Sequence, residues 1–278
     1  MSSAPFWRRF ARNRSALAGA VLVAPVIAAA LAAPLVAPGD PLDMVAQPFL
    51  WPGEDPAFLL GSDSLGRDVL AGLLHGARAS LLIGIAATFA ALLLGSGIGA
   101  LAGFYGGWID GALMRVTEIF QTMPFFVLAL VIVSVLNPSI VTIVAAIAVA
   151  SWPGVARLMR GQVLALRSRD YVVASRSVGA RSGAIILLQV LPNTLPPLIV
   201  TSSLMVATAI LTEASLSFLG LGDPNLVTWG SMIGAGRATL RTAWYLTVLP
   251  GVAILLTVMA INLVGEGLND ALNPRLAA

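Results

Sequence analysis

Few of the 278 residues carry side chains able to do covalent or acid–base chemistry. There is one histidine, His75, and no cysteine. That excludes disulfides, thiolate nucleophiles and cysteine metal sites, and leaves a Ser-His-Asp triad or a histidine metal cluster with at most one member. His75 lies between Leu74 and Gly76. General acid–base work needs positioned partners, so it reads as a surface or interface residue. All sixteen basic residues are arginine. Without lysine there is no G-x-x-x-x-G-K-[ST] loop to cradle a nucleotide's phosphates. The chemistry that remains is non-covalent. It concentrates in a polar stretch, 161–190, with Arg167, Arg169, Asp170, Ser175, Arg176 and Arg181 at its centre.

That stretch is too polar to span a bilayer, yet it is not a plain solvated charge run. Apolar residues recur at Val163, Leu164 and Leu166, and again from Ile185 to Leu188 and at Val190 and Leu191, so parts of it pack. Between them, 170–178 is predicted to form a short helix with Tyr171, Ala174 and Val178 along one side, at i, i+3 and i+7. Gly179 ends it as a C-cap. The product is a short amphipathic helix held across a membrane surface by two longer arms. Such a helix either docks a soluble protein or lies on anionic headgroups through its arginines; the patterning favours docking. Two acids outside the stretch stand out. Glu213 falls near the end of an apolar run, where a mid-bilayer charge costs about 2.5–3.5 kcal/mol and must face the bundle or water. It is either a pathway or gate residue or a structural tie between helix and loop. Glu118 follows Arg115 by three residues, the spacing of a helical ion pair.

The elements around these residues are membrane spans. The chain is 58% hydrophobic and 10% charged, against about 45–50% and about 25% in soluble domains. The high pI comes from arginines that flank apolar runs rather than cluster on a groove-reading element, so nucleic acid is not a predicted partner. The uncharged run 15–36 exceeds the roughly 7–15 residues of a signal-peptide core, and it outweighs the twin arginines Arg8 and Arg9 as a secretion signal. It reads as an uncleaved first transmembrane helix.

The predicted fold is an all-α integral membrane protein of about six transmembrane helices. The spans are 15–36, 80–102, 116–136 with a kink at Pro124, 140–156 broken near Trp152-Pro153-Gly154, 195–218 and 245–264. For the third and fourth, one long helix over 125–152 interrupted at Pro138 is the alternative to a hairpin. Gly95, Gly97, Gly99 and Gly103 place small residues where helices in lipid approach closely. The chain divides into an N-terminus, first helix and outer loop (1–79), a transmembrane domain (80–267) holding the polar insert at about 157–192, and a tail (268–278). Six spans put Arg8, Arg9, Arg12, Arg14, Arg115, Arg157, Arg160, Arg167, Arg169, Arg176, Arg181 and Arg275 on one side, against Arg67, Arg78, Arg237 and Arg241 on the other. The first side is therefore cytoplasmic, with both termini on it.

The insert resembles the EAA loop of permease subunits in binding-protein-dependent ABC importers. That motif reads E-A-A, three residues, G, nine residues, I-x-L-P. Val173-Ala174-Ser175, Gly179 and Gln189-Val190-Leu191-Pro192 fall at the same spacing, with Val173 in place of Glu, Ser175 of Ala and Gln189 of Ile. The run Leu60-Gly61-Ser62-Asp63-Ser64-Leu65-Gly66-Arg67-Asp68 is similar to the signature before the second span in C-type permeases of dipeptide, oligopeptide and nickel importers. Gly106-Gly107, Asp110 and Leu113-Met114-Arg115 continue the likeness. So do Glu213-Ala214-Ser215-Leu216-Ser217-Phe218-Leu219-Gly220 and the ending from Gly265 to Arg275, where Glu266, Asn269 and Asn273 replace the family's more usual Asp, Arg and Asp.

The resemblance implies the type I ABC importer permease fold and a non-catalytic subunit that forms half of a translocation pathway. It implies as partners a homologous second permease, two cytoplasmic ABC ATPases and an extracytoplasmic solute-binding protein, within a bacterial or archaeal cytoplasmic membrane. No cofactor would bind this chain directly; ATP and Mg would sit on the ATPases. Arg169, Asp170, Tyr171, Val173, Ala174, Ser175, Arg176, Gly179, Ala180, Leu191 and Pro192 would couple to the ATPase. Di- or oligopeptides are the expected cargo, with nickel or another small solute as the alternative. A self-sufficient secondary transporter is the reading from a different class; it predicts internal repeats, and no clear repeat is present. An intramembrane enzyme would need a dyad or metal ligands in the spans. A scaffold that merely docks a cytoplasmic protein is the remaining rival.

Overall fold

The structure, a computed structural model, describes residues 13–272. Arg8, Arg9, Arg12, Asn273, Pro274 and Arg275 lie outside the described residues. The described chain is helical apart from its loops and one antiparallel bridge between Ser62 and Asp68.

Helix α1 (Arg14–Val36) has 23 residues, about 34 Å at 1.5 Å per residue, enough to cross a hydrocarbon core of about 30 Å. Asn13 caps it by accepting the Ala16 N–H at 3.1 Å. Residues 37–68 then form a loop pinned by short aspartate turns: Asp40, Asp55 and Asp63 accept backbone N–H groups two residues ahead. The Tyr245 hydroxyl clamps this loop, sharing its proton between the carbonyls of Leu50 at 2.8 Å and Ser62 at 2.9 Å.

Helix α2 (Val69–Tyr105) is capped by Asp68 and runs for 37 residues. The predicted span began at Ser80, but nothing between Val69 and Ala79 breaks a helix, so the boundary set after residue 79 falls inside α2. His75 is an interface residue: its Nε2 lies 3.0 Å from the Ala37 carbonyl oxygen. One face of α2 packs along α5 (Ile140–Arg167) through Gly95, Gly99 and Gly103. A Cβ at Gly95 would stand 2.5 Å from Val155 Cβ, and one at Gly103 2.9 Å from the Arg160 carbonyl oxygen. Gly97 faces away and has nothing within 4 Å of that position. Three small residues at a period of four therefore make the seam.

Two predictions for the middle of the chain need correction. Helix α5 does not break at Trp152-Pro153-Gly154; it continues through Pro153 for 28 residues. Proline removes one backbone bond, and a buried, packed helix tolerates that. Trp152 and Pro153 are both buried, with the Phe120 ring edge-on to Trp152 at 5.3 Å. Nor is there one helix over 125–152, because residues 136–139 turn the chain. The predicted third span, 116–136, is two helices: α3 (Gly107–Gln121), which begins where a link was expected, and α4 (Phe125–Val135). They bend by 80° across Thr122-Met123-Pro124. The pair still carries the chain from one end of the bundle to the other, since the Ile140 N–H donates to Asp223 Oδ2, which follows the end of the long helix over Leu191–Phe218. Among the described residues five helices are each long and apolar enough to cross a membrane, six when the bent pair is counted as one span.

The chain then forms α6 (Asp170–Ser177), α7 (Ser182–Ile185), a π-helical turn (Ile186–Val190), α8 (Leu191–Phe218), α9 (Trp229–Gly236) and α10 (Tyr245–Leu272). Residues 268–272 continue α10 rather than starting a tail. Helix α10 lies between α1 and α8, with Gly267 against Ala16 and Gly265 against Ser203. Asn13 Nδ2 donates to Asp270 Oδ2 at 2.7 Å, which closes the α1–α10 pair at the insert end.

Candidate functional site

The polar insert folds into a short exposed helix fixed at several points to the spans. Asp170 in the first turn of α6 and Arg176 in its last complement the helix dipole. Gly179, at φ +81°, closes it in a Schellman motif: its N–H bonds to the Arg176 carbonyl at 3.0 Å and the Ala180 N–H to the Ser175 carbonyl at 3.0 Å. The left-handed φ favours glycine. Leu191 and Pro192 open α8 directly after the π-turn, and Pro192 brings no N–H to that junction.

Three contacts hold α6 down. Val172 is buried in a cluster with Phe104 of α2, Met159 and Val163 of α5, and Ile185 and Val190 of the return arm. The Arg176 guanidinium stacks 4.5 Å above the Phe104 ring. Gln189 Nε2 donates to Ser175 Oγ at 2.8 Å, and that hydroxyl donates to the Tyr171 carbonyl at 2.9 Å. The first arm is tied as firmly. Arg160 Nε and Nη2 donate to the two oxygens of Asp110 on α3 at 2.5 and 2.6 Å, and Arg167 Nη1 donates to the Gly103 carbonyl at 3.0 Å.

The outward face is apolar. Tyr171 is 43%, Val173 49% and Val178 84% exposed, and Ala174 and Ala180 are exposed beside them. The Tyr171-Ala174-Val178 side predicted from spacing is thus the open side; the packed side is Val172, Ser175 and Arg176. Arg169, Asp170 and Arg181 form a charged rim. The arrangement presents a rigid apolar ridge with polar edges, anchored to α2, α5 and α8.

Spacing alone missed the Ser175–Gln189, Arg176–Phe104 and Arg160–Asp110 pairs. The first left a trace, because both members are polar departures in otherwise apolar positions. The last joins residues on different helices and leaves no local signal. Arg115 and Glu118 pair at 3.1 Å, with side chains 80% and 61% exposed, so the predicted pair is present and contributes about 0–1 kcal/mol.

Glu213 sits apart from the insert, toward the other end of α8, and is fully buried. Its Oε1 accepts from Ser217 Oγ at 2.7 Å and its Oε2 from Ser80 Oγ on α2 at 3.4 Å. These contacts join α8 to α2. An open groove between α4, α5 and α8 carries the hydroxyls Ser151, Thr201 and Thr208 among Phe125, Gly154 and Leu204. Each hydroxyl donates to its own helix four residues back, which leaves oxygen lone pairs facing the groove.

Comparison with known proteins gives consistent results. Residues 95–278 match the family described as binding-protein-dependent transport system inner membrane component, and residues 4–52 match the N-terminal TM domain of oligopeptide transport permease C. The chain is 44% identical over 277 residues to the di/tripeptide transport system permease protein DppC of Pseudomonas aeruginosa, covering 98% of this chain and 91% of that protein. It is 38% identical over 272 residues to the glutathione transport system permease protein GsiD of Pectobacterium atrosepticum, covering 98% and 90%. It is 37% identical over 277 residues to the dipeptide transport system permease protein DppC of Haemophilus influenzae, covering 98% and 94%. A chain of the inward-facing MetNI methionine ABC transporter superposes with a TM-score of 0.60 at 19% identity, over 73% of this chain and 96% of that one. At that identity the likeness is one of fold.

Proposed function

The chain belongs to the inner-membrane components of binding-protein-dependent transport systems, and from that membership we propose that it forms half of a pathway for di- or oligopeptides, moved by ATPases that grip α6. The multi-pass permease is a premise here; the cargo, the grip and the direction are the proposal. One observation carries the grip: an apolar ridge, Tyr171-Val173-Ala174-Val178, stands exposed on a helix fixed at three points to the bundle. Exposed apolar surface rimmed by charge marks a protein contact. A handle anchored in this way passes force to the spans instead of bending.

Closure of an ATPase pair on ATP would then displace α6 together with α5 and α8, a rigid-body switch in which nucleotide favours one state. Arg169, Asp170, Arg176, Gly179, Ala180, Leu191 and Pro192 set the shape and edges of that handle. ATP and Mg would bind the ATPases. Among the described residues, the insert end carries Arg14, Arg115, Arg157, Arg160, Arg167, Arg169, Arg176 and Arg181, against Arg67, Arg78, Arg237 and Arg241 at the other end. That excess supports a cytoplasmic insert and cytoplasmic termini. The loop 37–68 and α9 would then meet the solute-binding protein. The hydroxyl-lined groove between α4, α5 and α8 would face a homologous second permease across the pathway.

Peptide cargo is supported by relatives whose names specify di/tripeptides and glutathione. The test is to purify the chain with co-eluting partners, reconstitute them in vesicles, and add candidate binding proteins loaded with dipeptide, tripeptide, glutathione or Ni²⁺. Peptide-stimulated ATP hydrolysis with vanadate-sensitive uptake is expected. Stimulation by Ni²⁺ alone would reassign the cargo. Uptake driven by an ion gradient without ATP would replace the importer reading altogether.

A further inference from the structure

The end of the bundle opposite the insert contains a three-way junction that docking to an ATPase leaves unexplained. Glu213 on α8 accepts from Ser80 Oγ on α2, and the same serine oxygen accepts the Trp229 N–H, at the first residue of α9, at 3.3 Å. One carboxylate and one hydroxyl thus join α8, α2 and the start of α9. Among the described residues no arginine pairs with Glu213, and its partners are hydroxyls: Ser217, Ser80 and the Thr228 side chain just ahead of α9. A buried carboxyl must be hydrogen-bonded to be tolerated, so loss of a hydroxyl partner is costly to the junction.

The packing around the junction is backbone against backbone. A Cβ at Gly230 would stand 2.5 Å from Ala214 Cα, and one at Gly234 3.2 Å from Phe218 Cα. Trp229 is buried, and its Nε1 donates to the Leu73 carbonyl at 3.1 Å. At these two glycines α9 meets α8 backbone to backbone, so α9 follows α8, while Trp229 and Gly236 tie it to α2 and α10 as well. At its other end α8 continues from the π-turn whose Gln189 clasps Ser175 on α6. Helix α8 therefore links the docking helix at one end to α9 at the other, by way of the π-turn and the Pro196-Pro197 pair. Helix α9 also forms one wall of a crevice of about 150 Å³ that the loop residues Pro41, Leu42 and Arg67 close from the opposite side.

We infer that Glu213 is a positioning residue that locks α9 to α8, so that displacement of α6 opens or closes the crevice between α9 and the 37–68 loop. The inference rests on the proposal that an ATPase grips α6. Its test uses the absence of cysteine from this chain. Ala235, exposed on α9 and lining the crevice, is changed to cysteine in the reconstituted complex. Its labelling by a membrane-impermeant maleimide is followed on this chain's gel band, with and without ATP plus orthovanadate. With Glu213 in place, trapping is expected to change the labelling rate by about 5-fold or more, the lower range of measured couplings between sites. Glu213→Ala is expected to bring that ratio close to one while vanadate-trapped nucleotide persists, and Glu213→Gln, which keeps the hydroxyl partners, to retain it. An unchanged ratio in Glu213→Ala, or no change in the parent, overturns the inference. Should Glu213→Ala fail to assemble, Ser80→Ala removes only the bridging hydroxyl and decides the matter on the same ratio. Absence of trapped nucleotide in the parent complex would instead count against the ATPase-driven reading beneath it.

Discussion

Ser175 and Gln189 replace the alanine and isoleucine of the EAA loop, and they touch each other at 2.8 Å. Two departures that look independent in the sequence are one substitution in space. A hydrogen bond of this kind contributes about 0.5–1.5 kcal/mol, and because both partners are half-buried, water relieves part of the cost of stranding either one. Ser175→Ala and Gln189→Ile should therefore each lower thermal stability and ATP-driven uptake, and the double variant, which restores the motif residues, should recover much of the loss. A double-mutant cycle on melting temperature and uptake checks this; simple additivity would show that the two do not act together. Arg176 supplies a second single-residue test. Its stacking on Phe104 contributes about 0.5–2 kcal/mol, and Arg176→Glu replaces attraction to the ring face with repulsion. Normal membrane levels with lost uptake are expected, read by immunoblot and by transport in vesicles.

Helices rather than residues decide the next set of outcomes. Gly179→Arg forces a side chain onto a left-handed φ, at about 1–2 kcal/mol, and unwinds the end of α6 while leaving every span intact. Uptake should fall with the chain still inserted. On α2, Gly99→Val drives a side chain into α5, where overpacking costs about 1–3 kcal/mol or more; Gly97→Ala meets open space. The first should lower the melting temperature in detergent and the second should not, although the two glycines are two residues apart. These contrasts mark where the sequence was readable. Spans 15–36, 195–218 and 245–264 are legible because apolar runs of that length, with at most the single charge of Glu213, have few other uses. The start of α2 was not, since its limit is set by the Asp68 cap rather than by polarity. At the α3–α4 bend Pro124 predicts a kink but not its angle of 80°. The helix 170–178 was legible from Gly179 and its periodicity, whereas its contact with Gln189 depends on a π-turn that no local pattern predicts.

Across the whole molecule, the arginines divide between two ends, and that division predicts a topology. With no native cysteine, single substitutions report cleanly. Val178→Cys should react with an impermeant maleimide only in inside-out vesicles, and Ala57→Cys, exposed on the 37–68 loop, only in right-side-out ones. The reverse pattern would place the insert outside the cell and remove the basis for an ATPase grip. The same experiment tests the passage made by α3 and α4, because a bent pair that failed to cross would put both probes on one side.

The π-turn at Ile186–Val190 accommodates more backbone per turn than an α-helix does. Elsewhere in a span, deleting a residue rotates everything beyond it by about 100° and tears each seam out of register. Here a deletion at Leu188, which points outward, would let the turn tighten to ordinary α geometry while α8 keeps its grooves against α2 and α10. The arm joining handle to bundle thus tolerates loss of a residue from the sequence while remaining a stiff connection in the folded chain.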